Sequence, residues 1–196
     1  MKRHLPFLVL LISCLPAMAH PAAYHAMNVS EAAHAGFLHP FTGLDHLLVM
    51  VAIGLWAVQL GGRALWLLPC CFVGSMMLGG LIGLCGLHQP LVEHGILASI
   101  VLLGVALGVT WRPQLWIAAS CVGIAGLCHG YAHGSEMPSG ALPLLFFTGM
   151  VAATSILHAF GIGGGLMLRS RRFDLAMRAT GLLLLAFAVY DFCFPV

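Results

Sequence analysis

Between Pro40 and Phe194 the chain repeats one unit six times, an apolar stretch of membrane-spanning length followed by a short break. The stretches run 40–60, 64–86, 91–110, 113–135, 142–167 and 175–194. A bilayer core takes roughly 20 apolar residues per helix, and only a helix satisfies its own backbone inside lipid. The breaks carry turn chemistry: Gly61-Gly62-Arg63, His88-Gln89-Pro90, Trp111-Arg112-Pro113, Pro138-Ser139-Gly140 and the basic run Arg169-Ser170-Arg171-Arg172. A water-soluble alternative fails on charge. Only 7% of the residues are charged, against about a quarter in a soluble domain. The expected fold is all-α, a polytopic bundle of six transmembrane helices.

The first residues read as a cleaved signal peptide. Lys2, Arg3 and His4 precede an apolar core from Leu5 to Leu15, and Ala17-Met18-Ala19 fits the small-residue cleavage rule. Leu11-Ile12-Ser13-Cys14 offers a rival lipoprotein site, but a lipid anchor adds little to a chain that already spans the membrane many times. The resulting division is a signal peptide over 1–19, a periplasmic histidine-containing tail over 20–39, and a six-helix transmembrane domain over 40–196. Six cysteines follow the signal peptide without CxxC spacing, which reads as small apolar packing residues.

Charge placement sets the direction of insertion. Export of the N-terminus sends the first span inward, so the loops after spans one, three and five face the cytoplasm. These loops hold Arg63, Arg112, Arg169, Arg171 and Arg172, with Arg178 at the inner end of span six. No other basic residue follows the signal peptide, as the positive-inside rule requires. Both mature termini are expected in the periplasm, with the bundle in the inner membrane of a bacterium.

Most of the ionisable residues then fall at the outer ends of the spans. His39, Asp45 and His46 lie on span one, Glu93 and His94 on span three, His129, His133 and Glu136 on span four, and Asp191 on span six. His20, His25, His34 and His88 belong to the outer tail or loop. Intramembrane ionisable groups are costly and mark function. His129, His133 and Glu136 are spaced i, i+4, i+7, one stripe on a helix. If the first helix starts at Pro40, a rise of about 1.5 Å per residue puts His46 roughly 9 Å in from it, and His129 about 10 Å in from Glu136. The two clusters then meet at one depth, and His39, Asp45, His46, His129, His133 and Glu136 form the expected metal ligands. Imidazole with carboxylate suits nickel, cobalt, zinc or copper(II) rather than calcium or magnesium. His158 reads as a packing residue or one that supports the ligands, and Met50, Met76 and Met77 read as core. Glycines at Gly79-xxx-Gly83, Gly104-xxx-Gly108 and Gly126-xxx-Gly130-xxx-Gly134 let helix backbones approach closely.

These two clusters resemble the motifs of the HupE/UreJ family, membrane proteins linked to nickel supply for hydrogenase and urease. The first motif is His39-PFTGL-Asp45-His46, with Pro40 and Gly43 in the family positions. The second is His129-Gly130-Tyr131-Ala132-His133-Gly134-Ser135-Glu136, where Cys128 replaces the usual Phe. The resemblance implies a secondary permease that carries nickel, with cobalt or zinc as alternatives, and no prosthetic group. Cys128 adds a thiol beside the ligands, which could alter metal preference.

A rival class is an intramembrane metal-dependent hydrolase with zinc on His129, His133 and Glu136. It lacks a clear general base apart from Asp45, and no Gly-x-Ser-Gly nucleophile motif is present. ATP-driven transport is excluded at the level of this chain, since the only lysine is Lys2 and no Walker A site is possible. The partners implied are a divalent ion and lipid, with no nucleic acid; a homo-oligomer is compatible with the sequence. Reporter fusions at Arg63 and Arg171 should read as cytoplasmic and one at Pro138 as periplasmic. A cytoplasmic signal at Pro138 would overturn this arrangement.

Overall fold

A computed structural model describes residues 27–86, 91–168 and 172–194. The signal-peptide assignment, together with His20, His25 and His88, lies outside the described residues. Among the described residues, seven α-helices follow in order: α1 Val29–Leu38, α2 Leu44–Leu60, α3 Ala64–Gly83, α4 Val92–Gly108, α5 Leu115–Ser135, α6 Pro143–Met167 and α7 Phe173–Cys193, with a 3-10 turn His39–Phe41 between α1 and α2. Among the described residues no strand occurs. Helices α2 to α7 occupy the six apolar stretches read from the sequence. By length and apolar character α3, α5, α6 and α7 can each cross a membrane alone. α2 passes that test only together with the preceding segment, and α4 is a shorter apolar helix of 17 residues.

Helix α1 lies within the segment read as a tail. Its start is a capping box: the Asn28 side chain accepts from the Glu31 N–H at 2.9 Å, and the Glu31 carboxylate accepts from the Asn28 N–H at 2.9 Å. The helix packs on α6 through small residues, since a Cβ on Gly36 would overlap the Phe146 carbonyl and one on Gly149 the Ala33 carbonyl. The chain then turns by 78° into α2. Span one therefore does not rise as one helix from Pro40. Pro40 sits in the 3-10 turn, whose missing donor suits it. Thr42 closes that turn by giving both its N–H (3.1 Å) and its hydroxyl (2.7 Å) to the His39 carbonyl. α2 starts afresh at Gly43, so the depth of His46 is set from there.

α2 is the central helix. Eleven of its 17 residues are buried, as expected for a helix apolar on all sides with neighbours all round. It packs against α6, α3 and α4. The closest helix pair is α3 with α5. A Cβ on Gly126, Gly130 or Gly134 would run into the Phe72, Met76 or Gly80 backbone of α3, and one on Gly79 or Gly83 into the Leu127 or Tyr131 carbonyl of α5. The expected glycine ridges are thus the seam of this pair. At the Arg-rich end, Trp56 Nε1 and Gln59 Nε2 both donate to the Trp111 carbonyl (3.2 and 2.8 Å), and the two indoles stack at 5.9 Å.

That carbonyl is presented by the end of α4. Trp111 N bonds to Ala106 O (2.8 Å) and Thr110 N to Leu107 O (3.1 Å), the paired bonds of a Schellman motif. The left-handed position is Thr110, with φ 52°, where a β-branched residue is strained. Thr110→Gly should raise the stability of the purified protein by about 1 kcal/mol, measured as a higher Tm in detergent. Gly130→Leu should do the reverse, because its side chain can be housed only by parting α3 from α5. A loss of at least about 1–3 kcal/mol is expected, and an unchanged Tm would mean that this seam is not tight.

Candidate metal site

The imidazoles of α2 and α5 stack into one column. The His39 and His133 ring centroids are 4.8 Å apart, His133 and His46 4.4 Å, and His46 and His129 4.8 Å, all edge to face. The outer rung comes from the turn before α2 and the end of α5. His39 Nε2 lies 3.5 Å from Glu136 Oε2, and one ligand atom each of His39, His133 and Glu136 falls within 4.8 Å of the others. Glu136 caps α5 and is exposed, whereas His133 is fully buried with neither ring nitrogen hydrogen-bonded. The His39 imidazole beside it holds the Glu136 carboxyl below the ordinary carboxylate range, against the opposite pull of partial burial. Its negative charge therefore persists to lower pH than usual.

The inner rung joins α2 to α5 directly. His46 Nδ1 lies 3.0 Å from His129 Nδ1 and 3.4 Å from Asp45 Oδ2. On its far side, His129 Nε2 lies 3.0 Å from Ser99 Oγ of α4. The Ser99 hydroxyl donates to the Ile96 carbonyl at 2.6 Å, so it accepts from His129 Nε2–H. A neutral His129 then carries its lone pair on Nδ1, facing His46. One proton on His46 Nδ1, donated to His129 Nδ1, satisfies that contact.

Local sequence explains the placement of Asp45. It lies in the first turn of α2, where the positive helix end favours a carboxylate. Its Oδ1 folds back over Gly43, 2.5 Å from where a Cβ would stand. Glycine at 43 therefore makes room for the carboxylate.

All six expected ligand residues thus line one column, and His133 belongs with His39 and Glu136 as well as with His46. Glu93 stands exposed in the first turn of α4, and Asp191 lies in the last turn of α7. Cys128 turns its sulfur toward Gly95 on α4, 2.5 Å from where a Cβ would stand. Two neighbours of the column had not been singled out in the sequence. Ser99 is a lone hydroxyl in an apolar helix, and Phe72 packs its ring 5.7 Å from that of His129. The only available signal was a polar residue at mid-span for Ser99; Phe72 looks like any core aromatic.

The HupE / UreJ protein family matches residues 8–190. The chain is 41% identical to Protein HupE of Rhizobium leguminosarum bv. viciae over 162 residues, which is 83% of this chain and 81% of that protein. No solved structure matches it. A match over nearly the whole length, together with both motifs on one column, places the chain in the HupE/UreJ family.

Proposed function

We propose that the chain is a secondary permease of the bacterial inner membrane that admits nickel(II) from the periplasm to the cytoplasm, with cobalt(II) or zinc(II) as competitors, for hydrogenase or urease maturation. The HupE/UreJ family comprises permease-like accessory proteins, not enzymes. The observation that carries the reading is the imidazole column with a carboxylate on each rung, Glu136 outside and Asp45 within. A divalent ion passing from rung to rung exchanges water for nitrogen and oxygen donors stepwise, and several moderate sites allow it to leave again.

The His46 and His129 Nδ1 atoms face one another at 3.0 Å, and imidazole donors with a carboxylate beside them suit nickel, cobalt or zinc. Capture requires His46 to move its proton to Nε2 or release it, which Asp45 beside Nδ1 can assist. The membrane potential supplies the drive: a doubly charged ion gains about 4.6 kcal/mol per 100 mV on entering a negative interior.

The proposed topology has six spans with both mature termini in the periplasm. Span one is the bent unit of α1 and α2, and the glycine end of α3 opens toward the periplasm. The mature tail before α1, with its histidines, would gather the ion.

Nickel uptake by cells expressing the chain tests the reading. Asp45→Ala, His46→Ala, His133→Ala and Glu136→Ala should each abolish uptake with the protein still in the membrane; near-normal transport by His46→Ala would sink a shared site. Gly43→Val should behave like Asp45→Ala, because the side chain displaces the carboxylate. Ser99→Ala should weaken nickel binding roughly 10–100-fold, the usual loss when a partner that fixes a ligand's tautomer is removed. Equilibrium dialysis of the purified variant reads this directly, and unaltered affinity would show that Ser99 does not set the His129 tautomer.

A further inference from the structure

Below the column, the core contains a histidine that the outer site does not use. His158 of α6 is 1% exposed, and neither ring nitrogen has a hydrogen-bond partner. A neutral imidazole has one donor and one acceptor. Leaving either without a partner in a buried site costs stability, so a native protein that keeps such a group needs a reason for it. Packing alone is a poor reason, since a leucine would fill the same space without that cost.

The neighbours of His158 extend the column inward. Phe72 of α3 meets the His158 ring edge to face at 5.3 Å and the His129 ring at 5.7 Å. One phenyl ring thus packs against both imidazoles, whose centroids are no more than about 11 Å apart. One turn toward the outside on both helices, the Thr154 hydroxyl points at the Met76 sulfur at 3.8 Å. Thr154 and His158 are spaced i, i+4 on α6, as are Phe72 and Met76 on α3, so the pairs form one facing patch. Thr154 and Met76 are both fully buried. The patch offers an imidazole, a hydroxyl and a thioether in a part of the core that otherwise holds apolar side chains. Nitrogen and soft sulfur together suit a late transition metal rather than calcium or magnesium.

We propose that His158 is a second and inner station for the transported ion, one helical turn inward of Met76 and Thr154 and packed on the same Phe72 ring as His129. The proposal rests on the transport reading above and adds a site to it. An ion leaving His46 and His129 passes Met76 and Thr154 along the phenyl ring and is held by a His158 nitrogen before release inward. The station has no carboxylate, which keeps the ion's residence there short.

The test is nickel(II) uptake into proteoliposomes holding the full chain, with initial rates measured against nickel concentration. His158→Leu keeps the volume and removes both nitrogens. It should cut the maximal rate at least tenfold and leave the half-saturating concentration within twofold of wild type, because capture occurs at the outer column. A maximal rate near wild type overturns the inner station while leaving the transport reading intact. Absence of uptake by the wild-type chain overturns both. His158→Cys covers the case in which the leucine variant fails to fold. A ligand at this position should retain transport and move the preference among nickel(II), zinc(II) and cadmium(II) toward cadmium. An unchanged preference would show that the side chain never touches the ion. A rise in half-saturating concentration in proportion to the lost rate would likewise reduce His158 to a support of the outer site.

Discussion

The backbone contact between α3 and α5 sets the direction in which the histidines of α5 point. Glycines at 126, 130 and 134 bring α5 so close to the Phe72, Met76 and Gly80 backbone that a Cβ at any of them would overlap α3. His129 and His133 each directly precede a glycine of that seam, so they project about 100° away from it. That direction is where α2 lies. The same glycines that look like mere packing devices therefore fix the azimuth of the histidine stripe. They also keep Phe72 and Met76 next to α5 and the patch on α6. A bulkier seam would not only loosen the bundle; it would swing the imidazoles off the column.

The column then has to tolerate polar groups at depth. It does so by letting the imidazoles and carboxylates serve one another instead of solvent. His39 meets Glu136, His46 meets Asp45 and His129, and His129 meets Ser99. His133 and His158 are the exceptions, with four ring nitrogens unpartnered between them. Full satisfaction would give a rigid network with little affinity to spare for a cation. On the proposed transport reading, incomplete satisfaction at these two positions leaves lone pairs for an incoming ion, at the expense of stability in the resting protein. On this reading, orphaned nitrogens are a property of the pathway and not a defect of packing.

Much of this was legible in the sequence, for physical reasons. Lipid demands long apolar runs, so the six helices α2 to α7 could be placed within a few residues. Polar residues are rare in such runs, so the six column residues stood out, and helical spacing alone joined His129, His133 and Glu136. The start of the chain was less readable. Asn28 and Glu31 form a capping box, yet α1 is short and its sequence lacks the length of a span, so residues 29–38 read as tail. The break at Thr42-Gly43 was hidden for another reason. Pro40 suits a helical first turn and a 3-10 turn equally, and only the packing of α1 on α6 selects the bend. Ser99, Phe72 and the patch at His158 depend on which helices become neighbours, which periodicity does not encode.

The bend explains why the two halves of the column come from unlike helix ends. α5 arrives with its C-terminus, whose unpaired carbonyls carry about half a negative charge and attract a cation. α2 arrives with its N-terminus, whose amides carry about half a positive charge and repel one. A cation between them would feel little net field from the backbone. Asp45 in the first turn of α2 changes that balance, because a full negative charge outweighs the partial positive end it sits on. Glu136, at the end of α5, adds to a field already favourable. The two carboxylates therefore have different tasks. On the proposed transport reading, Glu136 strengthens attraction at the exposed rung, while Asp45 converts a helix end that would reject the ion into one that accepts it. This is why the break before α2 requires both a glycine at 43, to make room, and an acid at 45.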